Sequence, residues 1–291
     1  MTKRSRILVD GIGWAEGPRW HDGALYFSDI YGDRTVQTVT ESGVRAVVAE
    51  IPTHPSGLGW LPDGDMLVVS MDDNAVLRLP RGGGAPVVHA DLRALATAVN
   101  DMFVMPSGIA YVGDIGFDYE SGGPRPGRVI RVDPDGAAVV AAEDLVLPNG
   151  LTATADSSAL IVAETMAGRL TRFSIDSDGA LHAREVFLAF DELARTDDVG
   201  AFFDFAVFGD RPAAPDGICA DGSDNIWVGN PFLSVIRCYD QSGAQVDEVE
   251  LHRGGTAPAI GGDDGRTLFV ATGAPAETFT GRTSCIEVCE L

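Results

Sequence analysis

Residues 15–29, AEGPRWHDGALYFSD, set one carboxylate, Glu16, ahead of Gly-Pro and then run through a His-Asp-Gly turn into an apolar strand. The second part of the stretch recurs. RWHDGALYFSD (19–29) is echoed by WLPDGDMLVVS (60–70), VMPSGIAYVGD (104–114), TADSSALIVAE (154–164), CADGSDNIWVG (219–229) and GGDDGRTLFVA (261–271). Each is a short apolar approach, a turn rich in Asp, Ser and Gly, and a four-residue apolar strand, which is the signature of a β-hairpin. The turn residues Gly23, Gly64, Gly108, Ser157, Gly222 and Gly265 follow one another at gaps of 41, 44, 49, 65 and 43 residues. That period is the size of a four-stranded propeller blade.

Between the echoes lie further strand candidates: TVQTVT (35–40), AVLRLP (75–80), GRVIRVD (127–133), RLTRFSI (169–175) and VIRCYDQ (235–241). Helical periodicity with caps is nearly absent, and only HADLRALATAV (89–99) reads as briefly helical. Six four-stranded units stacked radially bury their faces against one another and leave few open edges. The expected fold is therefore an all-β, six-bladed β-propeller occupying residues 1–291 as one domain. The terminal segments SRILVDG (5–11) and SCIEVCEL (284–291) both read as strands, so they are expected to share a blade and close the ring. The 65-residue gap holds about twenty extra residues, 191–212, whose Phe202, Phe203 and Phe205 suit a loop over one mouth of the ring or a local core.

Composition agrees with such a chain. It has 291 residues, 45% of them apolar, enough for a substantial core. A formal charge of −22 repels phosphate backbones and anionic lipid, so neither nucleic acid nor a membrane is an expected partner. The acids are spread through turns, as in a solvated surface. The amino terminus, MTKRSRILVDG, has too few consecutive apolar residues for a signal-peptide core, and a cytoplasmic protein is expected. Cys219, Cys238, Cys285 and Cys289 show no CxxC pair and sit in strand-like segments, consistent with free buried thiols; zinc on Cys285 and Cys289 lacks further ligands nearby. GGG at 82–84 lies in a turn and opens no helix, so it is no phosphate loop.

Rotational symmetry accounts for the acid set ahead of the first hairpin. Counting back nine to eleven residues from Leu25, Met66, Ala110, Leu160, Ile226 and Leu268 reaches Glu16, Ser56, Asn100, Asn149, Asp216 and Pro258. In a propeller these positions open the innermost strand of each blade and point to one channel. Four of the six are carboxylates or carboxamides, and EGP, PNGL and PDGI give three of them a rigid backbone. Taken singly, PDG and PNG are ordinary turns; their recurrence in register is what marks a site. Glu16, Asn100, Asn149 and Asp216 form a hard oxygen set suited first to Ca²⁺, with Mg²⁺ or Mn²⁺ as alternatives and Zn²⁺ less natural. One divalent ion would also offset the repulsion among converging acids.

The ordered motifs EGPRW, NDM, LPNGL, ETMAGRLTRF, APDGICADGSDNIWV and GGDDGRTLFV, from about residue 14 to 273, resemble the senescence-marker/gluconolactonase family of six-bladed propellers. Its wider relatives include diisopropylfluorophosphatase and the paraoxonases. The resemblance implies that Glu16, Asn149 and Asp216 ligate a divalent metal, with Asn100 as a fourth ligand or substrate contact and Asp101 beside it. It also implies a hydrolase that opens a lactone, a small-molecule substrate, with phosphotriester-like esters as an alternative. Asp216 is the expected general base, or in a rarer variant the nucleophile. One departure stands out: sugar-lactone members carry an Arg two residues before the Asn-Asp pair, where this chain has Ala98. Met102 and Phe103, expected near the channel, make the site more apolar than a sugar pocket. His54 is expected to face the channel as an auxiliary acid or base, and Glu164 to hold backbone by hydrogen bonds. A metal-assisted isomerisation or enolisation, and a non-catalytic propeller pinned by calcium, are the competing functions. Nothing in the chain fixes an oligomeric state.

Overall fold

The computed structural model describes residues 3–117, 125–190, 214–273 and 281–291. Two N-terminal strands, β1 (Lys3–Arg4) and β2 (Arg6–Ile12), precede the first blade. Blade 1 is β3 (Ala15–His21), β4 (Ala24–Asp29), β5 (Thr35–Val39) and β6 (Arg45–Glu50); blade 2 is β7 (Pro55–Trp60), β8 (Met66–Ser70), β9 (Ala75–Leu79) and β10 (Val87–Asp91). Blade 3 comprises β11 (Val99–Val104), β12 (Ala110–Asp114), β13 (Gly127–Val132) and β14 (Ala138–Leu145). Blade 4 comprises β15 (Pro148–Ala153), β16 (Ala159–Glu164), β17 (Arg169–Ile175) and β18 (Leu181–Ala189). Blade 5 is β19 (Ile218–Ala220), β20 (Ile226–Val228), β21 (Val235–Tyr239) and β22 (Gln245–Glu250), and blade 6 adds β23 (Gly254–Gly261), β24 (Thr267–Gly273) and β25 (Ser284–Glu290). The ring is a six-bladed β-propeller. All six quoted echoes are the hairpins between the first two strands of a blade.

The apolar runs of these hairpins follow from what each sheet touches. Every blade is covered on both faces, so its middle strands need no polar alternation. Six buried clusters fill the six seams. Leu67, Val69, Met102 and Val112 join blades 2 and 3, while Tyr111, Leu151 and Leu160 join blades 3 and 4. Ile161 and Ile226 bridge blades 4 and 5, and Trp227 and Val270 bridge blades 5 and 6. Phe27 and Phe269 join blade 1 to blade 6, and Val36 and Val68 join it to blade 2.

Closure runs through the termini. β2 pairs antiparallel with β25, so blade 6 takes its outer strand from the amino terminus, as expected. β1 goes further and pairs parallel with β22, making blade 5 five-stranded where four were expected. HADLRALATAV is not a helix. Its first residues belong to β10, which pairs with β9, and Leu92 to Ala96 form a single turn in which the Leu95 and Ala96 amides donate to the Leu92 carbonyl. Leu92 is needed in the seam between blades 2 and 3, which a continued helix would not allow. The expected loop at 191–212, with its three phenylalanines, lies outside the described residues.

The four cysteines are free, and Cys238, Cys285 and Cys289 are buried. Among the described residues no helix is long and apolar enough to cross a membrane.

Candidate metal centre

Five of the six innermost strands carry a register shift near their beginning: between Glu16 and Arg19, Pro55 and Leu58, Val99 and Met102, Pro148 and Leu151, and Gly255 and Ala257. An extra residue at such a bulge bends the strand and re-aims the side chains beside it. Gly17, Gly57 and Gly217, at the starts of innermost strands, are packed ring-wise: a Cβ on Gly17 would meet the Ser56 carbonyl, one on Gly57 the Met102 amide, and one on Gly217 the Ala257 side chain. By this alignment Glu16, Ser56, Asn100, Asn149, Asp216 and Thr256 are equivalent. The sixth member is thus Thr256 and not Pro258. Seven residues separate the paired Ile260 and Leu268, where five separate Trp60 from Met66 and Val104 from Ala110, so the expected count stopped short. Thr256 lies deep in the seam, its hydroxyl 3.0 Å from the Ala271 carbonyl and 3.3 Å from that of Ala15.

Hydrogen bonds link the rest around the axis. Ser56 Oγ donates to Asn100 Oδ1 at 3.0 Å, Asn100 Nδ2 donates to Asn149 Oδ1 at 3.2 Å, and the Asn149 side chain donates to Asp216. Four blades thereby meet. Glu16 completes the group from blade 1, where Trp14 Nε1 donates to its Oε1 at 3.1 Å and its carboxyl feels the charges of Asp216 and Asp101. Asp216 is held by its own backbone: its amide donates to the Gly229 carbonyl at 3.0 Å and its carbonyl accepts from Gly150 at 3.1 Å.

Second-strand termini fix the approach to these groups. Asp29, ending β4, accepts the Gly13, Trp14 and Gly32 amides just before Glu16. Asp114, ending β12, accepts the Thr97 and Ala98 amides before Asn100. Glu164, ending β16, accepts the Val146 amide before Asn149 and is paired with Arg169 and Arg184, the structural role expected of it. Burial raises the Glu164 carboxyl, but Arg169, Thr171 and Val146 together bring it below its ordinary value. The acidic last residue of three echoes was the sequence signal for these anchors.

The central carboxyls behave oppositely. Burial pushes Asp216 up to about 8, with Asp101's charge adding to it and the Asn149 hydrogen bond opposing it. Burial, Asp216 and Asp101 likewise raise Glu16 well above the carboxylate range, against the hydrogen bonds from Trp14 and Gly17. Asp101, only 5% exposed, is raised by burial and eased by Arg19, Met102 and Leu151. Buried acids that disfavour one another, with carboxamide oxygens among them, fit a hard divalent cation, which would reverse both effects. Among the described residues no three His, Cys, Asp or Glu side chains stand at mutual ligand spacing, so the fit depends on Asn100 and Asn149 as well.

Two other expected substrate contacts, Met102 and Phe103, lie in seams between blades. Met102 is fully buried in the seam between blades 2 and 3, leaving no side-chain surface for a substrate. Phe103 packs against the core joining blades 3 and 4. His54 Nδ1 is 2.7 Å from Asp72 Oδ1, and its ring lies against Tyr31. Strand alternation sends the first two to opposite seams, Met102 toward blade 2 and Phe103 toward blade 4.

The sequence pattern of the SMP-30/Gluconolactonase/LRE-like region matches residues 14–274. The chain belongs to that family. Family relatives include pentonolactonase XacC of Haloferax volcanii, 26% identical and covering 92% of this chain and 84% of the relative. The 6-deoxy-6-sulfogluconolactonase of Pseudomonas putida is 25% identical, covering 88% and 82%. In three dimensions the chain is similar to regucalcin, a calcium-binding protein of Agrobacterium tumefaciens, with a TM-score of 0.77, 21% identity and coverage of 99% and 96%. All of the candidate ligands fall inside the family match.

Proposed function

We propose that the protein is a divalent-metal-dependent lactonase whose reaction takes place at the channel end of blades 1, 3, 4 and 5. The observation that carries the reading is the hydrogen-bonded chain from Ser56 through Asn100 and Asn149 to Asp216, with Glu16 electrostatically joined to it. Lactonase names among relatives that match over most of both chains support the substrate class. Glu16, Asn100, Asn149 and Asp216 would hold the ion, Ca²⁺ by the hardness of the donors, and it would supply Lewis acidity toward the ester carbonyl.

The chain's own residues do the rest. Asp216 is the group to take a proton from the attacking water, or to attack the carbonyl itself. It is the buried acid with a carboxamide donor on one side and backbone bonds on the other, so its orientation is fixed before substrate arrives. Glu16 is oriented by Trp14 and supplies charge. Asp29, Asp114 and Glu164 keep the strand starts in place, which limits the loss of alignment during turnover.

The test is hydrolysis of a lactone panel, sugar-derived and simple alkyl, by chelator-treated protein with and without added divalent ions. Activity should vanish on chelation and return with Ca²⁺ or another hard divalent ion, and the product should be heavier than the substrate by one water. Equal rates with and without metal would overturn the mechanism; a product of unchanged mass would point to isomerisation.

A further inference from the structure

One residue at the candidate site interrupts a pattern. The position after each central residue is Gly17, Gly57, Asp101, Gly150, Gly217 and Ala257. The glycines have no room: a Cβ would come within 2.2 Å of the Met102 amide at Gly57, 2.5 Å of the Ile218 amide at Gly150 and 2.4 Å of the Ala257 Cβ at Gly217. Blade 3 alone places a charged side chain in this ring, and it is buried. Asp101 therefore needs a partner.

The partner comes from two blades away. The register shift in β3 sets three residue steps, Glu16 to Arg19, opposite two steps of β4, Ser28 to Tyr26, so both side chains leave the same face. Arg19 passes blade 2 and donates through Nη2 to the Met102 carbonyl at 2.7 Å, with Asp101 Oδ1 at 3.5 Å; Nη1 donates to the Pro18 carbonyl at 2.8 Å. Its side chain is 18% exposed and its charge also reaches Cys219 of blade 5. The guanidinium is thus pinned by three bonds near the axis. With a cation bound and all three ionised, Glu16, Asp101 and Asp216 would carry three negative charges, of which Arg19 cancels one.

We propose that Arg19 is a positioning residue of the metal centre: by clamping Asp101 it leaves the cluster with two net negative charges, and so sets the site's preference for a divalent over a trivalent cation. The inference rests on the metal reading above, and its test separates the two. Ca²⁺ and Tb³⁺, both hard and oxygen-seeking, are titrated in competition against the full-length protein, with sensitised Tb³⁺ luminescence through Trp14 beside Glu16 as the signal. Arg19→Met should shift the Tb³⁺/Ca²⁺ affinity ratio toward Tb³⁺ by at least about tenfold, the effect of one unit charge about 12 Å away at an effective dielectric of about 20. Asp101→Asn should shift it the other way, and the double variant should return to the wild-type ratio. A merely structural Arg19 would change both affinities together and leave the ratio alone. An unchanged ratio in Arg19→Met overturns the role of Arg19 while the metal centre stands. If Arg19→Met does not fold, an unchanged ratio in Asp101→Asn overturns it equally. Wild-type protein that binds neither ion overturns both.

Discussion

At the scale of single residues, the decisive quantity is the free energy of placing acids where water is scarce. Asp216 is 8% exposed and its carboxyl is raised to about 8, above the ~3.9 of an unfolded chain. Between those values the metal-free folded state binds the extra proton, so this group's stabilising contribution is complete below about pH 4 and is lost as the pH rises through about 8. Thermal unfolding in chelator should therefore move to lower temperature from pH 5 to pH 8, and saturating Ca²⁺ should remove that fall. Asp216→Asn makes the sign sharper. In chelator at pH 8 it should be more stable than wild type by about 1 to 3 kcal/mol, because a costly buried charge is gone. With Ca²⁺ the order should invert, and kcat/KM should drop by about 10² to 10⁴. An Asp216→Asn protein less stable than wild type in chelator at pH 8 would mean that the carboxylate is compensated by the fold itself. Glu16, Asn100, Asn149 and Asp216 were legible in the sequence because rotational symmetry converts a fixed offset from a turn into a shared point in space. Thr256 and Arg19 were not. The longer connection between the paired Ile260 and Leu268 breaks the constant offset, and nothing in one-dimensional spacing shows a side chain reaching past a neighbouring blade.

Elements in this fold are stabilised by their neighbours more than by themselves. A hairpin such as β19–β20, with strands of three residues each, could not persist alone; its Trp227, 1% exposed, fills the seam to blade 6 against Leu268 and Val270. Trp227→Ala should cost about 3 to 5 kcal/mol in denaturant unfolding, through lost transfer energy and the cavity left behind. Trp227→Phe should cost about 1 kcal/mol, since among the described residues the indole N–H has no hydrogen-bond partner to forfeit. Similar losses for the two variants would show that volume in this seam is not what holds blade 5. Hairpins could be read from sequence because turn chemistry and apolar runs are local. The turn after β10 was misread as a helix for the complementary reason: Leu92 and Leu95 have helical spacing, but their partners are across a seam, in blade 3.

For the whole molecule, the question is how a ring of six weakly cohesive units avoids opening. The pairing of β2 with β25 was legible from two terminal strand patterns, whereas β1 was not, because two residues have no periodicity and its partner β22 is distant in sequence. β1 attaches through Lys3–Asp247 and Arg4–Glu250 ion pairs, but Arg4's side chain is 79% exposed and such pairs contribute little. Ser5 is different. Its hydroxyl donates to Glu287, a carboxylate with no exposure that also accepts the His252 amide, and its amide donates to the Glu250 carbonyl at 3.0 Å. One buried acid therefore gathers the N-terminal strap, the blade 5 to blade 6 connection and the C-terminal strand. Removing a partner from a buried carboxylate costs more than removing a surface ion pair. Replacing Lys3 and Arg4 by Met should change stability by less than about 1 kcal/mol, while Ser5→Ala should cost about 1 to 3 kcal/mol and quicken unfolding. If the double surface variant proves the more damaging in chemical unfolding, the ring is held by charge at its rim, and the buried clasp at Glu287 is incidental to closure.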